Sequence, residues 1–173
     1  MASFKIVVTG PFNSGKTQFV QTASDIPVVS TEKRITTEDR GIKAETTVAM
    51  DYGRLTLDGD TIYLYGTPGQ VRFDFMWELL SERMDAFLVL VDSTDPHSFP
   101  DAAEFIRQFS AYAAVPYLVV ANKSDLPGAV KLHDLRRGAR VEADITVIPC
   151  NAKQKYSVRQ VLKQALDLLK QPQ

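Results

Sequence analysis

The stretch GPFNSGKT at residues 10–17 decides how the rest of this chain is interpreted. It follows the apolar run FKIVV and precedes residues with helical spacing, so the pattern G-x-x-x-x-G-K-[ST] stands between a strand and a helix. Backbone N–H groups of residues 13–17 at a helix N-terminus can bind phosphate oxygens without a side-chain charge. In such a loop Lys16 reaches the β and γ phosphates and the Thr17 hydroxyl ligates Mg²⁺. An ordinary glycine turn is the alternative, and the strand-loop-helix context favours a phosphate-binding loop.

Short apolar runs alternate with segments of helical period along the chain. The runs cover residues 4–9, 47–57, 61–65, 86–91, 117–121 and 145–149. The helical segments cover residues 16–23, 75–83, 98–112, 132–140 and 157–169. Apolar runs are typical of strands covered on both faces, and LDGD at residues 57–60 favours a hairpin. We predict an α/β fold with a six-stranded, mostly parallel sheet, one antiparallel edge strand and about five helices on both faces.

Ligands of such sheets bind beyond the carboxyl ends of the strands, so the loops at those ends matter most. The loop after the fifth run reads NKSD at residues 122–125. The Asp125 carboxylate can accept two hydrogen bonds, from N1–H and the exocyclic amine of guanine, whereas adenine has no proton on N1. A solvated loop and helix cap is the alternative for NKSD. After the sixth run, the backbone of Asn151, Ala152 and Lys153 could hold the guanine oxygen.

Composition excludes several classes of protein. With 20 Lys and Arg against 21 Asp and Glu, the net charge of −1 gives no general attraction to nucleic acid or to an anionic membrane. Cys150 is the only cysteine, which excludes an internal disulfide and favours a reducing compartment. The 173 residues suit a single domain, and they include no long apolar run and no lipidation motif. We expect a cytoplasmic protein without its own membrane anchor.

In this order, GPFNSGKT, TTVAMDYG, GTPGQ, NKSD and NAK resemble the motifs of the Ras-like small GTPases. The resemblance implies that Thr47 ligates Mg²⁺ and senses the γ-phosphate, with Thr46 as the rival for that role. It implies that the N–H of Gly69 meets the γ-phosphate and that Gln70 orients the attacking water. The GTP or GDP contacts that it implies are Asn13, Ser14, Gly15, Lys16, Thr17, Gln18, Thr47, Gly69, Asn122, Lys123, Asp125, Asn151, Ala152 and Lys153.

More narrowly, MDYGRLTLDGDTIYLYGTPGQVRFDFMW at residues 50–77 is similar to prokaryotic Ras-like proteins that accompany Roadblock-domain proteins. That resemblance implies a Roadblock-domain regulator and an effector that the sequence does not identify. The break at GTPGQ then corresponds to switch II, a loop that moves with the bound nucleotide. Trp77 and the neighbouring aromatic residues either pack in the core or form a partner surface.

Two residues depart from the wider family. Gly66 stands where the family has an aspartate that holds a Mg²⁺-bound water, so we expect looser metal binding and faster nucleotide release. Phe12 stands where Ras has glycine, and a bulky side chain there would obstruct an arginine supplied by a partner. Arg34 and Arg40 lie in the expected switch I loop, where neither is an evident catalytic arginine. Intrinsic hydrolysis should therefore be slow.

The sequence supports a guanine-nucleotide switch that hydrolyses GTP slowly, with Gln70 and Lys16 as the catalytic residues. The alternative is an interaction protein or scaffold that keeps the fold without hydrolysis. An ATP-using kinase is disfavoured by Asp125 and by the lack of a lid or acceptor region. We expect the domain, residues 1–173, to be monomeric or weakly self-associating.

Overall fold

The computed structural model describes residues 1–39, 42–67 and 84–172, with side chains described outside residues 30–49 and 112. The strands within these ranges are β1 (Ser3–Thr9), β2 (Val29–Asp39), β3 (Ile42–Leu57), β4 (Asp60–Gly66), β5 (Ala86–Asp92), β6 (Tyr117–Asn122) and β7 (Val147–Cys150). The helices are α1 (Lys16–Ala23), α2 (Phe99–Tyr112), α3 (Leu132–Gly138) and α4 (Lys155–Leu169), with a short 3-10 helix at Pro96–Ser98.

All described strands form one mixed sheet in the order β2-β3-β4-β1-β5-β6-β7. Strand β1 pairs in parallel with β4 and β5, and β5, β6 and β7 continue the parallel arrangement. Strand β3 runs antiparallel to β4. The predicted fold class, a mostly parallel sheet with helices and an antiparallel edge, is therefore confirmed.

Strand β2 is the main departure from the sequence prediction. The sequence prediction placed no strand between residues 10 and 46, yet the backbone of residues 29–39 pairs with β3 in a continuous antiparallel register from Val29 opposite Tyr52 to Asp39 opposite Ile42. The segment VSTEKRITTED is rich in β-branched residues, which favour extended backbone, but it lacks an apolar run because an edge strand needs none. Arg34, expected in a loop, consequently lies in β2 opposite Thr47.

Apart from β3, which begins at Ile42 and not at the predicted residue 47, the other boundaries lie close to the prediction. Asp58 and Gly59 both have positive φ, 52° and 83°, as a two-residue type I′ hairpin turn between β3 and β4 requires. Helices α2 and α3 and strand β7 begin or end within about two residues of the expected positions, which is the usual uncertainty of such boundaries. The helix expected at residues 75–83 lies outside the described residues.

Two apolar clusters cover the two faces of the sheet. On one face α1 and α4 contribute Phe19, Val20 and Leu162, among others. On the other face α2 and α3 contribute Phe99, Phe109 and Leu135. Strand β5 is buried along its whole length, which explains its continuous apolar sequence. The loops that follow β1, β6 and β7 emerge from this core at one edge.

No helix in the described part of the chain is both long enough and apolar enough to cross a membrane.

Candidate nucleotide-binding site

The loop between β1 and α1 adopts a strained, glycine-dependent conformation. Gly10 has φ of 142° and Gly15, the N-cap of α1, has φ of 99°. A Cβ on Gly10 would lie 2.2 Å from the Leu90 carbonyl oxygen, and a Cβ on Gly15 would lie 2.2 Å from Asn122 Nδ2. Only glycine fits at both positions. The loop is thereby pressed against the ends of β5 and β6, with the free N–H groups of the first turn of α1 available to an anion.

The Lys16 ammonium is held inside this loop. The side chain is buried, and Nζ donates to the carbonyl oxygens of Gly10 at 2.6 Å and Pro11 at 2.9 Å. Burial lowers the pKa of Lys16 to about 8, while the Asp51 carboxylate acts in the opposite direction. The ammonium thus lies inside the loop, the position that a phosphate-binding lysine would need.

Asn122, the last residue of β6, joins three loops through one buried amide. Its Nδ2 donates to the Ser14 carbonyl oxygen at 2.9 Å, and its Oδ1 accepts from the Ala152 N–H at 3.0 Å. The loops that follow β1, β6 and β7 are therefore fixed relative to one another. A phosphate-binding site and a base-binding site would keep a constant separation as a result.

Lys123 supports the same arrangement with a left-handed backbone, φ of 59°. Its ammonium donates to the Asn13 carbonyl oxygen and pairs with Asp92 Oδ2, each at 2.9 Å. Burial tends to raise the pKa of Asp92, but hydrogen bonds from Thr94 and Lys123 lower it overall. Asp92 is thus a charged partner that holds Lys123 over the phosphate-binding loop.

A cavity of about 220 Å³ opens between these loops. Asp125 lies exposed at its mouth, and Asn151 Nδ2 donates to Asp125 Oδ2 at 3.2 Å. The cavity also reaches the start of α1, so a base held here would lie beside the phosphate-binding loop. Its lining residues are Gly15, Gln18, Asn122, Lys123, Asp125, Leu126, Asn151, Ala152 and Lys153.

A carboxylate that the sequence prediction missed lies at the other end of the loop. Thr17 Oγ1 donates a 2.8 Å hydrogen bond to Asp51 Oδ2 on β3. Asp51 stands opposite Gly66 in the antiparallel pair of β3 and β4. Counting outward from the predicted turn at Asp58 and Gly59 would have placed these two residues side by side.

The structure brings most of the predicted site residues together around this cavity and loop. Those residues are Asn13, Ser14, Gly15, Lys16, Thr17, Gln18, Asn122, Lys123, Asp125, Asn151, Ala152 and Lys153. Gly69 and Gln70 lie outside the described residues, as does Trp77. The backbone of Thr47 lies in β3, four positions before Asp51 in the sequence, and its side chain is not described.

The mixed sheet, the loop GPFNSGKT between β1 and α1, and the paired loops after β6 and β7 define a P-loop protein with the small GTPase fold. The same fold is found in the structure of the Arl6 BBS3 small GTPase from Trypanosoma brucei with bound nucleotide analogue GppNp. The TM-score is 0.73 at 19% identity, and the match covers 96% of this chain and 97% of that chain.

The chain belongs to the family described as conserved hypothetical ATP binding proteins, which it matches over residues 25–171. It is 34% identical over 122 residues to the uncharacterized protein MJ1339 of Methanocaldococcus jannaschii, covering 70% of this chain and 71% of that protein. It is 24% identical over 137 residues to human ADP-ribosylation factor-related protein 1, covering 76% of this chain and 64% of that protein. The loop at residues 10–17 precedes the range matched by the family.

Proposed function

We propose that this protein is a guanine-nucleotide-dependent switch that binds GTP and GDP with Mg²⁺ and hydrolyses GTP slowly. The observation that carries the proposal is the Asn122 amide, which fixes the phosphate-binding loop and both base-side loops around one cavity. An ordinary glycine turn at residues 10–17 would not need a hydrogen bond from Asn122 to hold it against the loops that follow β6 and β7. The small GTPase fold and the Arf-related relative support the same function.

Guanine fits the cavity mouth better than adenine. Asp125 is exposed there and can accept two hydrogen bonds from the N1–H and the amine of guanine. Adenine would place an unprotonated N1 against the carboxylate, and an unpaired charge in a partly closed site is costly. The family description names ATP, whereas the structurally similar protein is titled a small GTPase, so the choice rests on Asp125.

Different residues around the loop can stabilise the phosphate charge and orient the attacking water during GTP hydrolysis. Backbone N–H groups of residues 13–17 and the Lys16 ammonium stabilise negative charge on the β and γ phosphates. Gln70 orients a water molecule for in-line attack on the γ-phosphorus, a role that rests on sequence resemblance. No group of three or more His, Cys, Asp or Glu among the described residues could hold a metal ion. By the loop motif and the family resemblance, Thr17, Thr47 and the phosphates would supply hard oxygen ligands, and Mg²⁺, when bound, would neutralise the phosphate charge.

Slow hydrolysis follows from the surroundings of the γ-phosphate position. Phe12 in the loop is 62% exposed, and by the resemblance to Ras a bulky side chain at this position would obstruct an arginine supplied by a partner. Gly66 also stands where the wider family has an aspartate that links the metal to switch II. A chain with these features needs either a partner for acceleration or a long-lived GTP state.

The base assignment is tested by measuring the affinity of fluorescent GDP and ADP for the full chain and for Asp125→Asn. We expect wild type to prefer GDP, and Asp125→Asn to lose roughly 10- to 150-fold in GDP affinity. The variant should gain affinity for xanthosine diphosphate, whose N1 and C2 groups invert the pairing. Equal affinity of wild type for ADP and GDP would contradict the assignment.

Single-turnover hydrolysis of GTP separates the switch from a non-hydrolysing scaffold. Wild type should produce phosphate slowly, Gln70→Leu should keep GTP and hydrolyse it more slowly still, and Lys16→Ala should lose the nucleotide. If wild type and Gln70→Leu are equally inert, the scaffold alternative is correct. Equal and measurable rates would instead exclude Gln70 as the residue that positions water.

We also propose a protein partner of the Roadblock-domain type, together with an effector, as the source of acceleration and of any membrane recruitment from the cytoplasm. The support is the resemblance of residues 50–77 to proteins that accompany Roadblock domains. Trp77→Ala should reduce the affinity for such a partner without changing thermal stability. Unchanged affinity with lower stability would assign Trp77 to the core.

A further inference from the structure

The ends of β3 and β4 bring Asp51 and Gly66 together. The two residues are paired across the antiparallel ladder, and β4 has its last β3 partner at this point. A Cβ added at Gly66 would lie 3.4 Å from Asp51 Cβ and 3.8 Å from Asp51 Oδ2. The Asp51 carboxylate therefore lies next to the point from which a side chain at residue 66 would extend.

The contact between Thr17 and Asp51 suits a metal site. Thr17 Oγ1 donates its proton to Asp51 Oδ2 at 2.8 Å. A hydroxyl has one proton and two lone pairs, so a proton directed at Asp51 leaves the lone pairs for a cation. The same carboxylate could accept a hydrogen bond from a water molecule on that cation. Hydroxyl, carboxylate and phosphate oxygens are the hard ligands that Mg²⁺ prefers.

We propose that Asp51 replaces, from the neighbouring strand, the aspartate that Gly66 lacks. In this proposal Asp51 orients the Thr17 hydroxyl and a Mg²⁺-bound water. The inference rests on the proposed nucleotide-binding function and identifies a residue of its metal site. It replaces the expectation of loose metal binding that Gly66 suggested.

The test moves the carboxylate from one strand to the other. The variants of the full chain are Asp51→Ala, Gly66→Asp, the double variant with Asp51→Ala and Gly66→Asp, and a control that combines Asp51→Ala with Gly66→Ala. Release of fluorescent GDP is measured with Mg²⁺ and with a chelator, and bound Mn²⁺ is measured by electron paramagnetic resonance. Circular dichroism confirms that each variant is folded. If Asp51→Ala fails to fold, Asp51→Asn keeps the shape and removes the charge.

We expect Asp51→Ala to release GDP about 5- to 150-fold faster in Mg²⁺, to lose sensitivity to the chelator and to bind Mn²⁺ weakly. The double variant with Gly66→Asp should recover slow, Mg²⁺-dependent release, whereas the alanine control should not. Gly66→Asp alone should give no slower release than wild type, because two carboxylates would repel each other.

Two results would overturn the proposal. One is wild-type Mg²⁺ dependence in both Asp51→Ala and Asp51→Asn. The other is equal recovery in the double variant and in the alanine control, which would show that residue 66 acts through backbone stiffness. If wild type binds no guanine nucleotide at all, the proposed function itself is wrong. The two results above would overturn only the role of Asp51 and would leave the proposed function standing.

Discussion

Asn122 shows how much of the site depends on a single side chain. The amide uses a donor and an acceptor on two different loops, and it is buried. Buried hydrogen bonds matter mostly through what their loss leaves behind, here an unpaired carbonyl at Ser14 and an unpaired N–H at Ala152. Asn122, which the motif NKSD predicts to be a base contact, therefore also connects the loops that follow β1, β6 and β7 in this structure.

We predict that Asn122→Ala weakens GDP binding by at least about 10-fold and destabilises the fold by about 1–3 kcal/mol. The reason is that both loops lose their shared partner. GDP titration and chemical denaturation measure the two effects.

Asn122→Asp is the matched control. It keeps an acceptor for Ala152 but loses the donor to Ser14, so its defect should be concentrated in the phosphate-binding loop. Wild-type GDP affinity in Asn122→Ala would show that the three loops hold their positions without this amide.

At the scale of elements, α1 and β3 approach each other very closely at Gly53. A Cβ there would lie 2.9 Å from Ser24 Cβ and 3.0 Å from Val20 Cγ1. Ser24 just after α1 also exchanges hydrogen bonds with the Arg54 backbone. This contact sets the distance between the helix that carries Thr17 and the strand that carries Asp51.

Gly53→Ala should therefore destabilise the protein by about 1–3 kcal/mol, because helix and strand must separate to admit a methyl group. Thr56→Ala, at an exposed position on the same strand, should change stability little. Thermal unfolding measures both. Equal melting temperatures for the two variants would mean that α1 can move away from β3 to admit the methyl group without a loss of folding free energy.

The β2–β3 hairpin raises a question about Thr47. At about 3.3 Å per residue, an extended strand separates Thr47 from Asp51 by about 13 Å. Asp51 is the β3 residue opposite the end of β4, and residues 42–50 pair with β2. For Thr47 to reach a metal at Thr17, this outer part of the hairpin must rearrange.

If Thr47 ligates Mg²⁺ in the GTP state, hydrogen exchange of residues 29–50 should increase when a non-hydrolysable GTP analogue replaces GDP. Backbone hydrogen bonds of β2 would be broken, while peptides from β5 should stay protected as the internal control. Identical protection in the two states would exclude Thr47 as a ligand that depends on the γ-phosphate.

At the scale of the whole molecule, the sequence predicted the parallel core well because its strands are buried on both faces and show continuous apolar runs. It failed for β2, since an edge strand shows no such run. It placed the loops that line the candidate site because their motifs occur in order at strand ends. It missed Asp51, whose importance depends on strand register and not on a local motif. The local sequence patterns therefore predicted the strands and loops of the core but not the interactions between segments that are distant in the sequence.

One such interaction joins both ends of the chain at the β3–β4 turn. The buried Asp60 carboxylate accepts a 3.0 Å hydrogen bond from the Ala2 N–H and pairs with Lys170, which follows α4. The Lys170 hydrogen bond is the largest cause that lowers the pKa of Asp60 below 3.8; the Ala2 bond adds to it and burial opposes it. The carboxylate is therefore more acidic in the folded chain than in the unfolded chain.

A folded-state pKa that is lower than the unfolded value contributes stability that is present above the unfolded pKa of 3.8 and is lost as pH falls through the folded pKa. We therefore predict that Asp60→Asn is less stable than wild type near neutral pH, and that the difference shrinks once the pH falls below 3.8. Lys170→Met should show the same dependence, because it removes the main cause of the shift. Asp144→Asn, at an exposed position, serves as the matched control. Urea denaturation across this pH range measures each difference. A stability difference between wild type and Asp60→Asn that stays constant down to the most acidic pH would show that Asp60 acts through shape and not through its charge.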